Sequence, residues 1–129
     1  MDVPKALAAA LALNRIAFGL GYLVRPAQAR ASWIGRAARK PGAQVMIRSQ
    51  GARDVALGAG ALRALARSED RELRAWATAH AACDGVDLVA TWAARDDLPK
   101  RRARLAMGIA GASTLVGAAA ALGLGARQP

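Results

Sequence analysis

The stretch LAMGIAGASTLVGAAAALGLGA, Leu105–Ala126, holds 22 residues and no charge. As an α-helix it is about 33 Å long, enough to cross a hydrocarbon layer of about 30 Å. Pro99 and the run Lys100, Arg101, Arg102 and Arg104 stand immediately before it, as basic residues do beside a membrane span. Working back from this segment, three more stretches of similar length can be read. Residues 3–24 open with Pro4, which suits a first helical turn, and close at Arg25-Pro26. Residues 43–65 and 73–94 are less apolar, because they contain Arg48, Arg53 and Asp54 in one and His80, Asp84 and Asp87 in the other.

The expected fold is therefore a single all-α membrane domain, a four-helix transmembrane bundle with spans at 3–24, 43–65, 73–94 and 105–126. The first connection, 25–42, contains Trp33 and Ile34 among Arg30, Arg36 and Arg39, which predicts a short amphipathic helix on the membrane surface, ended by Pro41-Gly42. Trp76 and Trp92 are 16 residues apart, about 24 Å along a helix, so that with Trp33 they are expected in the two aromatic belts.

Composition agrees with this reading but does not decide it. Hydrophobic residues make up 54% of the 129, with one Phe, one Tyr and 13 Gly. Small residues let helices approach closely in lipid, although a GC-rich coding bias would produce the same abundance. The formal net charge is +10, with 19 Lys+Arg against 9 Asp+Glu. In a soluble domain that surplus would suggest nucleic acid. Here it is gathered between apolar runs, and aromatic residues for base stacking are few, so no nucleic-acid partner is expected. Five basic residues occupy each of the connections 25–42 and 95–104, against four in the second connection. That asymmetry puts loops 25–42 and 95–104 in the cytoplasm and both termini outside, in a multi-pass protein of the cell membrane. The short polar end Arg127, Gln128 and Pro129 follows the last span. The N-terminal apolar stretch contains Asn14 and Arg15 behind a single Lys5, unlike a cleaved leader.

Charges within spans carry the functional information. Each costs roughly 2.5 to 3.5 kcal/mol near a helix centre by insertion scales. Arg15, Arg48 and Arg53 face Asp54, Asp84 and Asp87, three of each sign, and pairing avoids most of that cost. Five of the six fall in one layer. The expected pairs are Arg15 with Asp84 or Asp87 and Arg53 with Asp84, with Asp54 facing the same cluster. Arg48 lies nearer the cytoplasm and either joins the cluster or snorkels. His80, Asp84, Asp87 and Thr91 follow one helical stripe, at i, i+4, i+7 and i+11. Ile47, Gly51, Asp54, Gly58 and Leu62 form a second, whose glycines admit a neighbouring helix or a ligand. The last span supplies Gly108, Gly111, Ser113, Thr114 and Gly117 for close packing. Arg15, Arg53, Asp54, His80, Asp84 and Asp87 are thus the candidate site, with Asn14, Arg48 and Thr91 at its margin.

No catalytic arrangement, metal-ligand spacing or cofactor motif is recognised in the chain. Cys83 is a single cysteine, read as a small core residue, and the adjacent Asp96 and Asp97 are read as solvated loop charge. Asp84, Gly85 and Asp87 do not fit the aspartate motif of membrane phosphoalcohol transferases. Two readings of the buried cluster follow. In the first, a non-enzymatic membrane protein uses the Arg/Asp network to lock its helices or to dock a membrane partner. In the second, Asp84, Asp87 and Asp54 bind or pass a proton, an ion or a small molecule, with the chain acting as a homodimer.

Pro26, the run Trp33-Ile34-Gly35, Arg48, the run Gly51-Ala52-Arg53-Asp54, Leu57-Gly58, and then Asp84 and Asp87 together resemble a group of small, uncharacterised four-helix integral membrane proteins of high-GC bacteria. The resemblance covers most of the chain. It implies four spans and assigns no catalytic residue.

Overall fold

The computed structural model describes residues 1–126; the polar end Arg127–Pro129 lies outside the described residues. All regular structure among them is helical. The elements are α1 (Val3–Val24), α2 (Pro26–Ile34), a 3-10 turn (Gly35–Arg39), α3 (Pro41–Ala66), α4 (Asp70–Ala93) and α5 (Lys100–Gly125). Two of the helices, α1 and α5, are long and apolar enough to cross a membrane.

Helix boundaries follow local chemistry. The side chain of Asp2 accepts from the Lys5 backbone N–H at 3.1 Å and caps α1. Pro26 and Pro41 each stand in a first turn, where a missing N–H is no loss, so Pro41 begins α3 two residues before the expected start instead of ending the short helix. Asp70 and Glu72 place negative charge on the first turn of α4, which extends that helix back to Asp70. Likewise α5 starts at Lys100, directly after Pro99, and takes the basic run into its first turn. Gly35 ends α2 at φ +64, a conformation that β-carbons disfavour.

Consecutive long helices run antiparallel and pack side by side, with α5 returning against α1. The most extensive contacts are α1 with α3 and α4 with α5, so the molecule consists of two tight pairs. Glycines explain the first pair. A β-carbon on Gly58 would lie 2.5 Å from the Ala12 carbonyl, and one on Gly51 2.7 Å from that of Gly19. The glycines beside Asp54 therefore admit a helix. In the second pair Gly117 abuts Ala81, whereas Gly108 meets nothing. The seams between the pairs, α1–α5 and α3–α4, are thinner.

The interior divides along its length. At one end lies an alanine-rich core, with Ala8, Ala12, Ala61, Ala64, Ala77, Ala120 and Ala121 around Leu73 and Leu124. A smaller cluster of Tyr22, Ala38 and Ile47 sits beneath α2. Charged side chains occupy the space between.

One expectation for the connection is corrected. The short helix is present at Pro26–Ile34, but Arg30 points inward and is buried, so its division into faces is not the expected one. Only Trp92 is strongly exposed, with Arg95 over its ring at 4.5 Å. Trp76 packs over Gly60, where a β-carbon would clash with the indole, and Trp33 is drawn inward to Arg30 and Thr91.

Candidate functional site

The centre of the site is Arg15 of α1, 7% exposed. Its Nη1 donates to Asp54 Oδ1 of α3 at 2.6 Å, and its Nη2 donates to Asp84 Oδ1 of α4 and to the His80 carbonyl at 3.3 Å. One guanidinium thus ties three helices, which its flat fork of donors allows and a lysine ammonium would not. Both carboxylates are buried.

A second arginine works from the seam. Arg53 Nη2 donates to Asp54 Oδ1 of its own helix at 3.2 Å and to Asp87 Oδ2 of α4 at 3.3 Å. Gln50 Nε2 also donates to Asp87 Oδ2, at 3.1 Å. The expected Arg15–Asp84 pair forms; Arg15–Asp87 and Arg53–Asp84 do not. Asp87 is one turn further along α4 than Asp84 and falls within reach of the α3 side chains, while Arg15 reaches the deeper carboxylates. Every aspartate of the cluster is met by an arginine.

His80 is buried at 1% exposure. Its ring nitrogens make no hydrogen bond, although the ring is near the Leu57 carbonyl. It serves the site through its own carbonyl, which holds Arg15. Thr91 is buried at the other end of the stripe, where its hydroxyl donates to the Asp87 carbonyl at 2.6 Å and accepts from Trp33 Nε1 at 3.1 Å. Asn14 is exposed and lines the smaller cavity described below. Arg48 does not join the cluster; it is exposed, and its Nε donates to the Leu23 carbonyl in the last turn of α1 at 3.3 Å.

Arg30 belongs to the site and is not evident from sequence, where it counts as loop charge. Its guanidinium lies 4.4 Å from the Tyr22 ring centroid and 4.0 Å from that of Trp33. Such stacking is worth about 2 kcal/mol when desolvated. Burial lowers its pKa from the usual arginine value, and the carboxylates of Asp87 and Asp54 oppose that shift; the group remains cationic. The one signal that could have found it is aromatic residues on both sides, Tyr22 before and Trp33 after. Helix α2 is held over the site by these contacts, by Trp33–Thr91, and by Arg102 Nη1 donating to the Ala31 carbonyl.

Two cavities follow the thin seams. One, of about 480 Å³, opens between α3 and α4 beneath α2 and is lined by Arg30, Trp33, Gln50, Arg53, Asp87 and Thr91, with Ile34, Met46 and Ile47 on its apolar side. The other, of about 120 Å³, lies between α1 and α5 beside Asn14, Arg15, Phe18 and Ser113. Arg30, Trp33, Gln50 and Asp87 line both. Among the described residues no three His, Cys, Asp or Glu side chains converge to hold a metal ion. Cys83 is half-buried and unbridged.

No family model, curated protein or solved structure matches this chain.

Proposed function

We propose that the protein is a multi-pass, non-enzymatic membrane protein, a four-helix transmembrane bundle whose Arg15–Asp54–Asp84 network locks the two helix pairs together. One observation carries the reading, an inside-out distribution of polarity. Arg15, Asp54, His80 and Asp84 are buried, while Phe18, Val86, Val89, Trp92, Ile109, Leu115 and Leu122 are exposed. Average hydropathy passes over α3 and α4, yet Arg53, Asp54, His80, Asp84 and Asp87 turn toward the cluster, while the exposed charges Arg48, Arg63, Arg71, Glu72 and Arg74 stand toward the helix ends. The outward positions of α3 between Ser49 and Arg63 are Ala52, Ala56 and Ala59. Those of α4 from Ala75 to Ala93 are alanines, valines, Trp92 and Thr78, whose hydroxyl donates to the Arg74 carbonyl. Such surfaces suit lipid or an apolar membrane partner, a second copy included, and burying paired charge is how a bilayer tolerates it.

In this reading loops 25–42 and 95–104, with α2, lie in the cytoplasm of a bacterial cell and both termini lie outside. A proton or cation site at Asp54, Asp84 and Asp87 has less support, since each carboxylate already meets an arginine. Binding of a small molecule is favoured by a different feature, the cleft between α3 and α4. The test of membrane integration is alkaline carbonate extraction. The protein is expected to stay in the membrane pellet, and its release into the supernatant would overturn the proposal.

A further inference from the structure

Arg30 is 5% exposed and lacks a carboxylate or carbonyl partner among the described residues; two aromatic faces are its only contacts of note. A guanidinium has five N–H donors around its edge, and none of those on Arg30 donates a hydrogen bond to a described residue. Here the side chain lines the large cleft and the small cavity alike. Asp87 lines the same cleft. Its Oδ2 takes both Gln50 and Arg53, while its Oδ1 has no described donor. Arg30 and Asp87 do not pair with each other, so the cleft presents one unused cationic edge and one unused carboxylate oxygen.

Charge balance narrows the occupant. Arg15, Arg30 and Arg53 equal Asp54, Asp84 and Asp87 in number, so the interior is neutral as it stands. A net anion would leave a buried negative charge, whereas a zwitterion preserves the balance. The apolar side of the cleft, at Ile34, Met46 and Ile47, continues to the exposed Met46 on the outward face of α3. We propose that this cleft binds a zwitterionic aminophospholipid, with its phosphate on the edge of Arg30, its ammonium on Asp87 Oδ1 and its acyl chains leaving past Met46. The proposal rests on the membrane reading above, and deepens it by naming the ligand class.

The test uses the full-length protein, freed of lipid in mild detergent, with phosphatidylethanolamine, phosphatidylglycerol or free phosphoethanolamine added. Retention is read by native mass spectrometry and by the thermal midpoint. One phosphatidylethanolamine per chain is expected, with a raised midpoint, and phosphatidylglycerol should bind about tenfold more weakly or worse. Arg30→Gln should weaken phosphatidylethanolamine by about tenfold or more, the effect of losing charge-assisted hydrogen bonds. Should that variant not fold, Arg30→Lys keeps the charge, removes the stacked fork and should still weaken binding. Asp87→Asn should abolish the preference for phosphatidylethanolamine over phosphatidylglycerol. Equal retention of the two lipids, retention unaffected by both Arg30 variants, or no retained lipid would overturn the proposal. Free phosphoethanolamine competing as well as the lipid would assign a soluble occupant and also overturn it. Carbonate extraction separates the failures: a protein that stays in the membrane but ignores lipid loses only this inference.

Discussion

Arg15 holds two carboxylates from two other helices, and Arg53 holds a third while sharing one of them. Removing one member of a buried pair leaves a charge without its counter-ion in a poorly solvating interior. Such a loss is typically about 3 to 5 kcal/mol. Arg15→Gln and Asp84→Asn are each expected to destabilise by that order in detergent unfolding titrations, and a loss below about 1 kcal/mol would exclude a locking role. Pair identity can be read separately from a double-mutant cycle. Arg53 with Asp87, in direct contact, should couple by about 0.5 to 3 kcal/mol, and Arg53 with Asp84, linked only through Asp54 and Arg15, by less. Stripe positions on α3 and α4 are legible in the sequence, because helical spacing puts His80, Asp84 and Asp87 on one face and the cost of charge in lipid turns that face, and Asp54, inward. Partner choice is not. It depends on axial offsets between helices of about one turn, which no spacing along a single helix encodes.

At the scale of elements, α1 and α3 approach until backbone meets side chain, because Gly19, Gly51 and Gly58 remove the β-carbons in the way. Close approach brings Arg15 within reach of Asp54; a wider pair would leave the guanidinium short. Gly58→Val is therefore expected to destabilise by about 1 to 3 kcal/mol through overpacking, measured by the same unfolding titration. Gly108→Ala, on an open face of α5, should change stability by less than about 0.5 kcal/mol and serves as the control. The glycine stripe on α3 was readable as a close contact, but it did not say whether a helix or a ligand filled it. Helix α2 shows the opposite case. Its existence was legible from Trp33 and Ile34 among Arg30, Arg36 and Arg39, yet its end at Gly35 and the inward turn of Arg30, where Tyr22 and Trp33 meet in space, were not.

For the whole molecule, the thin seams between two tight pairs produce the cavities, and the polar side chains that bridge the seams keep the pairs in register. The proposed orientation makes a direct claim about the two faces. With Cys83 replaced by Ser, Arg67→Cys in the turn after α3 should be labelled by an impermeant maleimide in intact spheroplasts. Arg39→Cys before α3 should be labelled only after lysis. The reverse pattern would invert the topology.

Residues 105–126 and 3–24 could be recognised as helices long and apolar enough to cross a membrane, because run length and polarity are properties of the chain itself. The same holds for the stripes of α3 and α4, which follow from a fixed turn of 100° per residue. Helix pairing, the exchange of aspartate partners, the inward Arg30 and the cleft were decided only by the tertiary structure. Each arises where side chains of different helices compete for the same space and the same hydrogen bonds, and that competition has no counterpart along a single helix.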